Sequence, residues 1–197
     1  MVADRNHIHR CAALVNLANR AEEDPVRLPE EHRVGKCVIH SHDGLRVDEE
    51  GTALIIDHAL DMGVNLIDTA NVYGDGLSEK YIGKALKGKR HRALIATKVS
   101  IDVGEGPNLS GNSRQHIVTE VEKSLRRLDT EYIDVYQLHR VDPSTPIEET
   151  LRALDDLVRQ GKVRYIGCSN FKAWQVCEAM WTSRTQGLTS FISTQPN

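Results

Sequence analysis

The sequence predicts an α/β fold in which a parallel sheet is covered by helices. Three observations carry this. From about residue 50 onward, stretches with helical periodicity alternate with short β-rich runs. The alternation repeats over the remaining chain, the pattern of successive βα units rather than of separate all-α and all-β layers. Each β-rich run from the second onward ends in a polar or ionisable residue, as expected where a parallel sheet presents its working edge. The pattern leaves two closures open, a (β/α)8 barrel or an open doubly wound sheet.

The elements follow in order. CAALVNLANRAEE has the spacing of an amphipathic helix, DPVRLPEEHR is loop-like, and CVIH can form a strand. Leu54, Ile55, Ile56, Ala59 and Leu60 then predict a helix that ends at Gly63, and VNLIDTA a strand. LSEKYIGKALKG is helical and closed by Gly88, and ALIATKVS is a strand. Ser113 is placed to cap a helix that shows Ile117, Val118, Val121, Leu125 and Leu128 on one face. YIDVYQLH is the next strand. Thr145-Pro146-Ile147-Glu148 has the form of a capping box with proline in the first helical position. Ile147, Leu151, Leu154 and Leu157 continue that helix, and Gly161 stops it. VRYIGCSN, a helix holding Trp174 and Trp181, and a strand in GLTSFISTQPN complete the chain. The two tryptophans are expected to pack in the core or at its rim.

Composition narrows the function classes. The 197 residues are 40% apolar and 27% charged, ordinary for a soluble globular protein. A net charge of −3 supplies no basic field for nucleic acid. The apolar runs are too short to span a bilayer, and MVADRNHIHR lacks the apolar stretch of a secretory signal. Cys11, Cys37, Cys168 and Cys177 show no CxxC spacing, so free thiols in the cytoplasm are expected, with Cys168 small and buried. The run KGKRHR reads as an exposed turn. His40 and His42 form an HxH pair that metal-dependent hydrolases place on a first barrel strand. Such enzymes draw further ligands from later strands, where this chain has Lys98 and His139, so no metal site is expected.

The strand ends carry Asp68, Lys98, His139, Ser169 with Asn170, and Gln195, and Tyr73 lies a few residues past Asp68. A phenol is a poor acid near neutrality, with an ordinary pKa of about 10. A neighbouring lysine cation favours the phenolate and lowers that value. Lys98 can act so on Tyr73, Asp68 can hold the ammonium, and His139 can donate to a carbonyl oxygen as negative charge develops there. The set suits hydride delivery with protonation of an alkoxide.

GVNLIDTANVYGDGLSE, ALIATKVS, YIDVYQLHR and GKVRYIGCSNF resemble the signatures of the aldo-keto reductases, from about residue 50 to the last residue. The resemblance implies a (β/α)8 TIM barrel and a carbonyl reductase using NADPH. It places the family's catalytic tetrad on Asp68, Tyr73, Lys98 and His139, with Tyr73 as general acid. Ser169, Asn170 and Gln195 match residues that hold the nicotinamide carboxamide, and Asp68 lies near its ribose. Gly74-Asp75-Gly76 lacks the third glycine of a Rossmann fingerprint, consistent with that family's different way of binding the cofactor. The expected organisation is a single partial barrel of five to six βα units, with residues 1–50 an atypical start and 51–197 the reductase-like part. A full barrel needs about 250 residues. The units that grip the cofactor's phosphate would follow the sixth strand, so the alternative is a non-catalytic subunit or fragment without that phosphate site.

Overall fold

The structure, a computed structural model, describes residues 38–40 (as backbone alone) and 47–196. The helix and loop expected in residues 11–33, and Cys11, Cys37 and His42, lie outside the described residues, as does the side chain of His40. The strands are β1 (Val38–His40), β2 (Leu66–Asp68), β3 (Leu94–Val99), β4 (Ile133–Leu138), β5 (Val163–Ser169) and β6 (Ser193–Gln195). The helices are α1 (Glu49–Asp61), α2 (Leu77–Ala85), α3 (Arg114–Leu128), α4 (Ile147–Arg159) and α5 (Ala173–Gln186).

The six described strands are all parallel, and their order in the sheet is their order in the chain. A doubly wound sheet reverses its strand order at a switch point. No reversal occurs among the described strands. Consecutive helices pack on one another, α1 on α2 through α4 on α5, in a single layer. Sequential parallel strands backed by one layer of helices are the wall of an incomplete (β/α)8 barrel. That architecture decides between the two closures the periodicity left open. The first strand is CVIH's Val38–His40, with Val38 opposite Leu66 and His40 opposite Asp68.

Side chains alternate between the two faces of each strand. Ile67, Ile95, Val99, Tyr136, Leu138, Ile166 and Cys168 join one buried cluster with Ile117, Val121, Leu128, Leu151 and Leu154 from the helices. The opposite face carries Asp68, Lys98, Gln137, Gly167 and Ser169. One strand period therefore supplies both the core and the polar interior.

Local signals explain the boundaries. Asp48 caps α1 by accepting from the Gly51 N–H at 2.8 Å, and Ser113 caps α3 by accepting from the His116 N–H at 3.3 Å. Gly161, at φ 75°, occupies the left-handed position that ends α4. At Gly83 on α2 the reason for glycine is proximity: a Cβ there would lie 2.6 Å from the Leu128 carbonyl carbon and oxygen of α3.

Two expectations are corrected. Thr145 does not cap α4. Its hydroxyl donates instead to Asp142 Oδ2 at 2.7 Å, so Pro146 is the residue before the helix and no side chain caps it. Glu148 pairs with Arg152 one turn on, and Glu149 reaches across to accept from the Arg114 N–H at the start of α3. Trp174 and Trp181 are 61% and 72% exposed, not packed in the core or rim. They sit on the outer side of α5, whose inner side packs through Ala179, Val176 and Met180. Cys168 is buried as expected, and Arg90 of the basic turn is only partly exposed because its guanidinium pairs with Asp134.

Candidate active site

The polar interior converges where β2, β3 and β4 end. Asp68 closes β2 and Lys98 is the second-last residue of β3; both point inward, 3% and 1% exposed. Lys98 Nζ donates to Asp68 Oδ2 at 2.6 Å and to the Thr69 carbonyl at 2.9 Å. Burial pushes the Lys98 ammonium's pKa down, and the Asp68 carboxylate pulls it back only in part, so it rests below the ordinary lysine value.

After β2 the chain leaves the sheet through residues 69–72 and reverses sharply. Gly74, Asp75 and Gly76 all have positive φ, at 56°, 53° and 83°. Two of the three are glycines, and aspartate is among the residues that tolerate this region best. The reversal starts α2 and leaves Tyr73 turned inward and 7% exposed. Lys98 Nζ lies over the Tyr73 ring, 5.2 Å from its centroid. The His139 ring meets the same ring edge-on, with centroids 5.8 Å apart and planes at 81°. The four residues singled out by chemistry thus form one contiguous group.

His139 is anchored by its backbone. Its N–H donates to the Val99 carbonyl at 2.7 Å and to Ser100 Oγ at 3.1 Å. Its carbonyl accepts from Asn170 Nδ2 at 3.0 Å. Asn170 itself has φ 60°, the left-handed conformation asparagine adopts more readily than most residues. Ser169 Oγ donates to the Gln195 carbonyl at 2.8 Å, and the Asn170 N–H to the same oxygen at 3.1 Å. Ser169, Asn170 and Gln195 therefore form a second group, tied to the first through His139. Within it Gln195 Oε1 is buried without a hydrogen-bond partner among the described residues.

Sequence reasoning missed Gln137, whose Nε2 approaches Asp68 Oδ1 at 3.4 Å. The signal was available: Gln137 lies one residue from the buried Tyr136, on the opposite face of β4. Among the described residues no group of three or more His, Cys, Asp or Glu side chains could hold a metal ion. No described helix is long and apolar enough to cross a membrane.

The family model for the Aldo/keto reductase family matches residues 38–197. The chain belongs to that family. The match begins at β1, so the family pattern starts before the motifs that first suggested it. Among curated relatives, the aldo-keto reductase YhdN of Bacillus subtilis is 47% identical over 131 residues, covering 66% of this chain and 40% of that protein. The aldo-keto reductase dtxS3 of Metarhizium robertsii is 41% identical over 174 residues, covering 76% and 47%. The versiconal hemiacetal acetate reductase of Aspergillus parasiticus is 40% identical over 172 residues, covering 77% and 50%. The chain spans about half the length, or less, of these relatives.

Proposed function

We propose that this chain carries the carbonyl-reducing site of an NADPH-dependent aldo-keto reductase, with a cytoplasmic aldehyde or ketone as substrate. The observation that supports this best is the contact of one buried phenol with a buried ammonium and an imidazole. Tyr73 is the general acid, donating its phenolic proton to the substrate oxygen. Lys98, over the Tyr73 ring, favours the phenolate that this donation leaves behind. Asp68 holds the ammonium by an ion pair and so fixes its place relative to the ring. His139, whose ring stands at right angles to that of Tyr73, orients the same oxygen and donates to it as negative charge grows. Burial raises the weight of each of these interactions, because little water competes for them.

The second group fits a nicotinamide cofactor. Gln195 Oε1 is a buried acceptor with no partner among the described residues, suited to the N–H of a carboxamide, and Ser169 and Asn170 flank it. By the family resemblance, Asp68 would also contribute to holding the cofactor's ribose. When bound, the cofactor supplies the hydride; orientation and protonation belong to the residues above. The alternative is a non-catalytic chain that does not bind the cofactor. Fluorescence titration with NADPH, followed by NADPH oxidation over a panel of aldehydes, separates the two. Saturable binding and turnover are expected; no saturable binding would sink the reductase reading for this chain.

A further inference from the structure

The loop that carries Tyr73 is held from the far side of the sheet. Asn71, two residues before Tyr73, points away from the site into the layer between sheet and helices, 3% exposed. Its Nδ2 donates to Glu120 Oε2 of α3 at 2.9 Å, across 49 residues of sequence. Among the described residues Asn71 Oδ1 is buried with no hydrogen-bond partner, and the side chain is held through its bond to the Glu120 carboxylate. Glu120 is itself 1% exposed. Burial pushes its carboxyl pKa up, but hydrogen bonds from Lys123 and Asn71 outweigh this and keep it below the ordinary value, so it stays ionised. Its other oxygen accepts from Lys123 Nζ at 2.7 Å.

A charge-assisted hydrogen bond in a dry layer is stronger and more directional than a neutral one. It acts here on a short span. The Asn71 N–H donates to the Lys98 carbonyl at 3.2 Å, and the Tyr73 N–H to the Ala70 carbonyl at 3.2 Å. The backbone between these two bonds therefore has three points of attachment: Lys98 on one side, Glu120 on the other, and its own turn. A shift at Asn71 carries directly to the phenol two residues later.

We propose that Glu120, through Asn71, is a positioning residue that holds Tyr73 at its distance from Lys98. The proposal rests on Tyr73 acting as the acid, but its test does not depend on turnover. The phenol pKa of Tyr73, read by NMR of tyrosine labelled at the ring carbon bearing the hydroxyl and assigned with Tyr73→Phe, reports its approach to the ammonium. In the wild-type chain Tyr73 is expected below the ordinary tyrosine range. In Asn71→Ala and Glu120→Ala that pKa rises by about one unit. Glu120→Gln, whose amide oxygen can still accept from Asn71, stays near wild type, as does Lys123→Ala, which removes only the other partner. Turnover, where measured, falls on the order of ten- to a hundred-fold in kcat with little change in KM.

Circular dichroism melts check that each variant is folded. Asn71→Ala leaves Glu120 its Lys123 partner, so it decides the matter if Glu120→Ala does not fold. The proposal is overturned if folded Asn71→Ala moves the Tyr73 pKa no more than Lys123→Ala does. It is equally overturned if Glu120→Gln behaves as Glu120→Ala, or if wild-type Tyr73 titrates in the ordinary range. A wild-type chain that shows this titration behaviour but reduces no aldehyde would sink the reductase reading and leave the positioning inference standing.

Discussion

Replacing Lys98 by methionine removes one charge from a pair that is almost completely buried, and the cost can be worked from the geometry. At 2.6 Å the Nζ–Oδ2 attraction is about 6 kcal/mol at an effective dielectric constant of about 20. Several kcal/mol of lost hydration on each ion oppose it, so the pair in place contributes little net stability. Removing one member is different, because the Asp68 carboxylate then stays in the barrel interior without its cation. Lys98→Met is expected to cost about 3–5 kcal/mol of unfolding free energy, a large part of the stability of a domain this size. The double variant Asp68→Asn with Lys98→Met removes both charges and should recover most of that loss. Urea denaturation of the wild type, the single variant and the double variant measures the difference. A single variant costing less than about 1 kcal/mol, the range of an exposed pair, would refute the buried-pair account. So would a double variant as unstable as the single one.

Three further outcomes follow. Gly83→Ala places a methyl group 2.6 Å from the Leu128 carbonyl and 2.9 Å from the Arg127 oxygen, both backbone, so α2 and α3 must separate; a loss of about 1–3 kcal/mol is expected in a thermal melt. Asp142 is held at about 2: burial pushes it up, but bonds from the Ser144 hydroxyl, the Asn112 N–H, the Thr145 hydroxyl and the Ser144 N–H outweigh this. A depressed carboxyl stabilises the fold above its unfolded pKa, so about 1–2 kcal/mol, discounted for partial exposure, is lost as pH falls from about 4 to about 2. Denaturant midpoints across that range should show less of this slope in Asp142→Asn. Ser113→Ala removes the cap of α3 and should cost about 1 kcal/mol by urea titration, with no loss if the His116 N–H finds another acceptor.

Much of this fold was legible because it is local. Ile117, Val121, Leu125 and Leu128 repeat at helical spacing, Ser113 is a helix-start residue, and α3 begins and ends as they require. The strand ends were legible for the same reason: Asp68, Lys98 and His139 each follow an apolar run. What the pattern could not carry was competition between partners. Thr145 has the right type and spacing for a cap, yet Asp142 three residues earlier takes its hydroxyl. Trp174 and Trp181 share one side of α5, and apolarity alone does not say which side meets the sheet. The Asn71–Glu120 bond joins residues on different elements through the interior, and no short-range pattern announces it. Strand order decided the closure, since periodicity is identical for a barrel wall and a doubly wound sheet.

The most direct test of the account is the turnover of Tyr73→Phe against the wild-type chain, with NADPH and an aldehyde that the wild type reduces. The substitution keeps the ring over Lys98 and against His139 and removes only the phenolic hydroxyl. A positioned general acid contributes on the order of 100- to 10,000-fold, so kcat should fall by at least about two orders of magnitude while the variant stays folded and still binds NADPH. Turnover within a factor of a few of the wild type would contradict the assignment of Tyr73 as the acid.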